Sequence, residues 1–317
     1  FKQKTAYEIG VRLVGSEMCI RDRPASCVAV VTPAGTVNLT EGSVDIGGSR
    51  TAIAQQLAEV LNIPVEDVNP QIGDTDSIGY TSVTGGSGVA FKSGWAAYEA
   101  AQHIKNQLIE RAAVVWDTDE DQIDYSDGFA THKSDPELKL SFKEIAAASN
   151  ATGGPIVGSA GVNPGGVGGS YSAMIVDVDV DPETGKTDVV RCTAFTDAGK
   201  AIHPDYVEGQ IQGGSVQGIG WALNEEYFMS EDGRVLNASL LDYRMPTSLD
   251  LPMIDSVVIE VPNPGHPFGV RGVGESPLVP PLAAVANAIH DAIGVRMSEL
   301  PMSPNVILNA LNNKENS

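Results

Sequence analysis

Cysteine is almost absent from this chain: Cys19, Cys27 and Cys192 are the only three among 317 residues. Such scatter gives no disulfide framework and no paired spacing for zinc or iron–sulfur ligation, and it favours a reducing, cytoplasmic setting. Histidine is scarce too, with five residues and no close His–His or His–Cys pair. Any metal would therefore arrive inside a cofactor, not on a cage of protein ligands. Positive charge is outnumbered, 20 Lys and Arg against 41 Asp and Glu, for a formal net charge of -21. That balance argues against a nucleic-acid groove or an anionic membrane surface as partner. No apolar run approaches the roughly 18–20 residues of a membrane span. What remains, 42% hydrophobic and 19% charged residues, describes a folded chain with enough length for one large unit or two domains.

The ends differ from the middle. The tract Met18-Cys19-Ile20-Arg21-Asp22-Arg23 resembles a translated sequencing adapter, so 1–23 is read as a non-native leader and set aside. Residues 313–317 read as a polar tail. Between them, the chain is read as two regions, 24–150 and 151–312. Strands are predicted at 27–31 and 37–39 around the turn Pro33-Ala34-Gly35. A helix is predicted over 50–61 from Ile53, Leu57, Val60 and Leu61, and a second after Ser87 from Ala97, Ala101, Ile104 and Leu108. Polar residues over 117–137 suggest a surface hairpin. The eight glycines of 152–170 suggest a loop with unusual backbone. Met174, Val176, Val178 and Val180 alternate as in a half-buried strand, and Asp181-Pro182-Glu183-Thr184-Gly185 supplies a turn into a second strand. The acidic residues there read as a solvated face, not a metal site. Helices are predicted over 204–223 and from Pro281 and Pro304, with a strand at 256–261. The fold class is α/β to α+β.

Three glycine-bearing junctions carry the chemical signal: Asp45-Ile46-Gly47-Gly48-Ser49, Thr84-Gly85-Gly86-Ser87-Gly88 and Gly272-Val273-Gly274-Glu275. The second opens a helix, where exposed N–H groups can receive phosphate or simply cap the helix. It lacks the Lys of a P-loop and the strand of a dinucleotide fingerprint. Gln217 carries an amide able to donate and accept, suited to a cofactor heteroatom or to solvent. Glu275 sits where glycines permit close approach and the prolines from Pro277 to Pro281 limit water; burial there would make it a proton acceptor. Helix-start stabilisation is the competing account of the same residue. Asp197, His203 and His266 read as structural.

Taken in order, these landmarks, with Gly73-Asp74-Thr75-Asp76, Thr196-Asp197-Ala198-Gly199 and Gly209-Gln210-Ile211-Gln212-Gly213-Gly214, make residues 37–311 resemble the later part of the molybdopterin-binding large subunit of the xanthine dehydrogenase and aldehyde oxidase family, the molybdenum hydroxylases. The resemblance implies that fold, mainly its second lobe. It also implies that Ile46, Gly47 and Gly48, the residues Thr84, Gly85, Gly86, Ser87 and Gly88, and Gln217 and Gly274 approach the molybdopterin cofactor, in a bacterial enzyme usually its cytosine dinucleotide form. Glu275 is then the general base, drawing a proton from the molybdenum hydroxyl as its oxygen attacks an aldehyde or N-heterocycle carbon. Hydride passes to the sulfido ligand, water restores the oxygen, and electrons leave through 2Fe-2S clusters and FAD on partner subunits or domains. A dimer of heterotrimers is the implied assembly. No protein residue need ligate the metal. Two departures stand out: Gly48 where many relatives carry glutamine, and Ser276 where they carry proline after the glutamate. A noncatalytic scaffold or assembly protein retaining the fold is the alternative, and a soluble NAD-binding dehydrogenase a more distant one.

Overall fold

The computed structural model describes residues 24–73, 76–165 and 168–315. Residues 1–23, read above as a leader, Asp74 and Thr75 of one landmark, and the last residues of the tail lie outside them. Two lobes stand side by side.

In the first lobe, β1 (Ala25–Val31) and β2 (Val37–Glu41) form the expected hairpin, Val31 opposite Val37. The alternation Ala25, Cys27, Ala29, Val31 is buried on one face, as a half-covered sheet requires. After α1 (Ser49–Leu61), β3 (Val68–Ile72) runs parallel to β2. The long α2 (Val89–Trp116) lies across the sheet, burying Ala96, Ala97, Ala100, Ala101, Ile104 and Leu108 against Ile53, Leu57 and Leu61 of α1. A three-stranded sheet of β4 (Ile123–Ser126), β5 (Phe129–His132) and β6 (Asp135–Ser141) extends the expected hairpin by one strand. It is tied to α1 through the Tyr125 hydroxyl, which donates to the Leu61 carbonyl at 2.8 Å. A reciprocal Ser141–Glu144 capping box then starts α3 (Phe142–Thr152).

The glycine-rich stretch after α3 is not simply a loop. Residues Ile156–Val162 form β7, antiparallel to β1, in a sheet ordered β3-β2-β1-β7. Glycine serves close packing here, because a Cβ on Gly158 would collide with the Ala100 carbonyl of α2. The first core therefore takes in β7, whose Ile156 is fully buried in it.

The second lobe holds β8 (Ser172–Val180), β9 (Thr187–Asp197) and β10 (Ile254–Ile259), ordered β10-β9-β8. The hairpin turn between β8 and β9 is fixed by Asp181, which accepts from Glu183 N–H at 2.9 Å and Thr184 Oγ1 at 2.7 Å. Acidic side chains on these strands pair with neighbours, as in Asp177–Arg191 at 2.7 Å and Asp188–Lys186 at 2.9 Å. Helices α4 (Pro204–Leu223), α5 (Pro280–Ile293) and α6 (Pro304–Glu315) each begin on proline. Ile211 and Ile219 of α4 pack with Val285 and Ile289 of α5, Ile307 of α6, and Cys192 and Ala194 of β9. Between α4 and β10, residues 224–253 form no strand or α-helix. They leave Leu240, Leu241, Leu249 and Met253 more than four-fifths exposed.

The lobes meet at Phe91 and Val270, flanked by Trp95, Ile202 and Phe268. His266 is buried at this seam against the Phe91 and Trp95 rings. Its Nε2 donates to the Phe91 carbonyl at 3.1 Å, while Nδ1 accepts from Phe268 N–H at 3.1 Å and Val270 N–H at 3.4 Å. Burial pushes its pKa down to about 4, so the ring is neutral and its tautomer is set by these three bonds.

Candidate functional site

Directly beside that seam lies a cavity of about 480 Å³, lined by both lobes, within the usual size of a small-molecule or cofactor site. The first lobe contributes mostly backbone. Gly47 and Gly48 adopt φ of +60° and +75° ahead of α1, and a Cβ on either would overlap Gln210 or Tyr206 of the opposite lobe. The segment 84–88 opens α2, which has Gly88 at its N-cap and no side-chain cap. Its approach is pinned from behind by the buried Lys92, whose Nζ donates to Ser82 O, Ser82 Oγ and Val83 O at 2.6, 2.8 and 2.9 Å. Nearby Glu41 is fully buried and accepts from Ser43 N–H at 2.6 Å. Burial raises its pKa to about 7.

The second lobe contributes side chains. Helix α4 presents Tyr206, Gln210, Gly213, Gly214 and Gln217 to the cavity, the spacing of one helical face. His203 starts that helix, stacked on Tyr206 with ring centroids 3.8 Å apart. The strand-like segment carrying Val270, Arg271, Val273, Gly274 and Glu275 closes the opposite side. Arg271 holds it in place: Nε donates to Val261 O at 3.0 Å, Nη1 donates to Gly169 O at 2.6 Å, and the guanidinium pairs with Asp197 at 3.2 Å. Asp197 also accepts from Gly199 and Val261 N–H at 2.9 and 3.1 Å, so its role is structural, as its sequence context suggested.

Every residue singled out from the sequence, namely Ile46, Gly47, Gly48, Thr84, Gly85, Gly86, Ser87, Gly88, Gln217, Gly274 and Glu275, lines this one cavity. One expectation about them is corrected. Glu275 is not buried by the prolines that follow; its side chain is exposed to the cavity, while Ser276 and Pro277 are the buried pair. The chain turns inward after Glu275 into a short 3-10 helix, which aims the carboxylate outward. Its contact is across the lobes: Glu275 N–H donates to Ser87 Oγ at 2.9 Å, and Ser87 Oγ donates to Glu275 Oε2 at 3.1 Å.

Sequence reasoning missed Tyr206, Gln210, Lys200 and Arg271 as lining residues. For Tyr206 and Gln210 a signal existed, since they share Gln217's face of α4, opposite the apolar anchors Ile211 and Ile219. Lys200 and Arg271 carried no such pattern, because the loops that deliver them are set by long-range contacts.

The cavity suits an anionic, heteroatom-rich group. Glu275 is its sole acidic lining residue in a chain of net charge -21, and Lys200 and Arg271 are its cations, although they pair with Glu260 and Asp197. Gly85 and Gly213 line it with nothing within 4 Å of where a Cβ would stand, so the cradle is open at backbone level. Among the described residues no cluster of three or more His, Cys, Asp or Glu could hold a bare metal ion, and no helix is long and apolar enough to cross a membrane.

Comparison with known proteins gives a consistent result. The family model described as the molybdopterin cofactor-binding domain matches residues 5–252. The chain is 30% identical over 305 residues to the xanthine dehydrogenase molybdenum-binding subunit of Escherichia coli O157:H7, covering 94% of this chain and 39% of that protein. It is 35% identical over 296 residues to the nicotine 6-hydroxylase large subunit of Paenarthrobacter nicotinovorans, covering 87% of this chain and 35% of the relative. Among solved structures, quinoline 2-oxidoreductase from Pseudomonas putida 86 superimposes with a TM-score of 0.82 at 29% identity, over 92% of this chain and 38% of that one. The chain thus spans between about a third and two-fifths of the length of these relatives.

Proposed function

This chain belongs to the molybdopterin cofactor-binding family of the molybdenum hydroxylases, and from that premise we propose that it forms the later part of a large subunit that oxidatively hydroxylates an aldehyde or N-heterocycle. The observation that carries the proposal is the convergence of both glycine loops, Gln217 and Glu275 on one interlobe cavity. The cofactor, in its cytosine dinucleotide form, would be held by the backbone of 46–48 and 84–88, by the Gln217 amide and by Gly274. When bound, it supplies the two-electron oxidation chemistry and the transferable oxygen. The chain's own work is orientation and proton handling. Uncapped N–H groups at the start of α2 favour negative charge. The Gln217 amide fixes a heteroatom edge from the opposite wall. Glu275, exposed to the cavity and held by Ser87, takes a proton at its carboxylate as the substrate is attacked. Iron–sulfur and FAD partners would accept the electrons, in a cytoplasmic complex that would be a dimer of heterotrimers.

The decisive test is Glu275→Gln in the complete complex. Molybdenum content is expected to stay near that of the parent while turnover falls about 100- to 10,000-fold. Near-normal turnover with the metal retained would remove Glu275 as base. Metal analysis of the parent complex tests the scaffold alternative: about one molybdenum and about four irons per heterotrimer, the latter as two 2Fe-2S clusters, are expected. Iron and partners without molybdenum would favour an assembly role.

A further inference from the structure

Ser87 stands out among the glycines that follow Thr84 in its loop. It adopts φ +52°, a left-handed conformation that a side-chain-bearing residue holds only under strain. Its neighbours Gly85, Gly86 and Gly88 avoid that strain. Ser87 uses both capacities of its hydroxyl on one residue 188 positions away: it accepts from Glu275 N–H at 2.9 Å and donates to Glu275 Oε2 at 3.1 Å. Among the described residues no other protein group hydrogen-bonds that carboxylate. The second lobe presses on it as well, since a Cβ on Gly272 would lie 2.7 Å from both the Ser87 Cβ and its carbonyl oxygen.

We infer that Ser87 is the positioning residue for Glu275, a two-point clamp that fixes the amide and the carboxylate of the second lobe's acid against the first lobe's loop. The inference rests on the proposed role of Glu275 as base. An exposed glutamate samples many rotamers, and proton transfer needs one of them; the hydroxyl selects it before substrate arrives. The strain at Ser87 is the counterpart of that selection.

The clamp separates stability from function. Ser87→Gly relieves the backbone strain, so the thermal midpoint of the complex is expected to hold or rise. Meanwhile kcat on the better of benzaldehyde and hypoxanthine falls about 10- to 100-fold, with KM little changed. In metal-free protein, hydrogen exchange of the Glu275 amide speeds up in the same variant. Ser87→Thr keeps the hydroxyl but adds β-branching to a left-handed residue, so the midpoint drops while kcat and amide protection stay close to the parent. Unchanged kcat and unchanged exchange in Ser87→Gly, with Glu275→Gln inactive, overturns the clamp and leaves the base in place. If Glu275→Gln still turns over, the base assignment falls and the clamp's catalytic purpose with it.

Discussion

The two lobes approach the same cavity with different materials. The first offers mostly backbone: glycines, the hydroxyl residues Ser49, Thr84 and Ser87, and a helix start, mounted on a continuous core between α1, α2 and a four-stranded sheet. The second offers side chains, Tyr206, Gln210, Gln217, Arg271 and Glu275, mounted on a smaller core and interrupted by the segment 224–253, which exposes Leu240, Leu241, Leu249 and Met253. Backbone geometry is fixed by packing, so the first lobe must be rigid to recognise anything. Side chains can be re-aimed, so the second lobe depends on pins such as Arg271, His266 and Ser87. Rigidity is built into one wall and imposed on the other.

The sharpest way to break this contrast is to damage each core separately. Leu57→Ala in the first lobe and Ile211→Ala in the second each remove a fully buried side chain, at an expected cost of about 2–5 kcal/mol. Calorimetry should show each change lowering one transition more than the other; equal effects on a single transition would mean one cooperative unit.

Next in size is opposite pH dependence. His266 has a folded pKa of about 4 against a usual 6.5. The unfolded chain therefore binds the extra proton, and stability is lost as pH falls from about 6.5 to about 4, by up to about 3 kcal/mol. Glu41 has a folded pKa of about 7 against 4.5. The folded chain binds the extra proton, and stability declines by a similar order as pH rises from about 4.5 to about 7. His266→Phe should flatten the acid limb and Glu41→Gln the opposite one, measured as denaturation midpoints against pH.

Smaller still, Gly158→Ala forces β7 away from α2, costing about 1–3 kcal/mol in chemical denaturation. The gentlest probe compares two glycines of α4. Gly209 and Gly213 both have open space around a would-be Cβ, and Gly213 alone lines the cavity. Alanine at either should add about 0.5–1 kcal/mol by helix propensity. A leucine at 213 should lower bound molybdenum, measured by metal analysis, and the same change at 209 should not.

Much of this organisation was legible in the sequence where periodicity and punctuation agreed. Ile53, Leu57 and Leu61 marked α1, prolines marked the starts of α4 and α6, and the Asp181–Gly185 turn marked the β8–β9 hairpin. The glycine junctions and the order of their neighbours pointed to the cavity residues and to the family. β7 was hidden because glycine suppresses the apolar alternation by which a strand is recognised, and its reason for glycine lies on α2, far away in sequence. The exposure of Glu275 was hidden for a similar reason: the direction of a side chain at a turn depends on where the chain goes next. The pins Lys92, Arg271 and His266 each reach at least one partner distant in sequence, 9, 102 and 175 residues away in Val83, Gly169 and Phe91, which no local pattern encodes.

The missing side chain at Gly272 has a consequence for how this protein can change. Because its Cβ position is occupied by Ser87, the two sites do not drift independently. A library that varies both together should show strong epistasis, with substitutions at 272 tolerated only in backgrounds where the backbone at 87 has moved, since its carbonyl oxygen as well as its Cβ fills the space. Residues separated by more than half the chain would then behave, in a map of permitted sequences, as a single position.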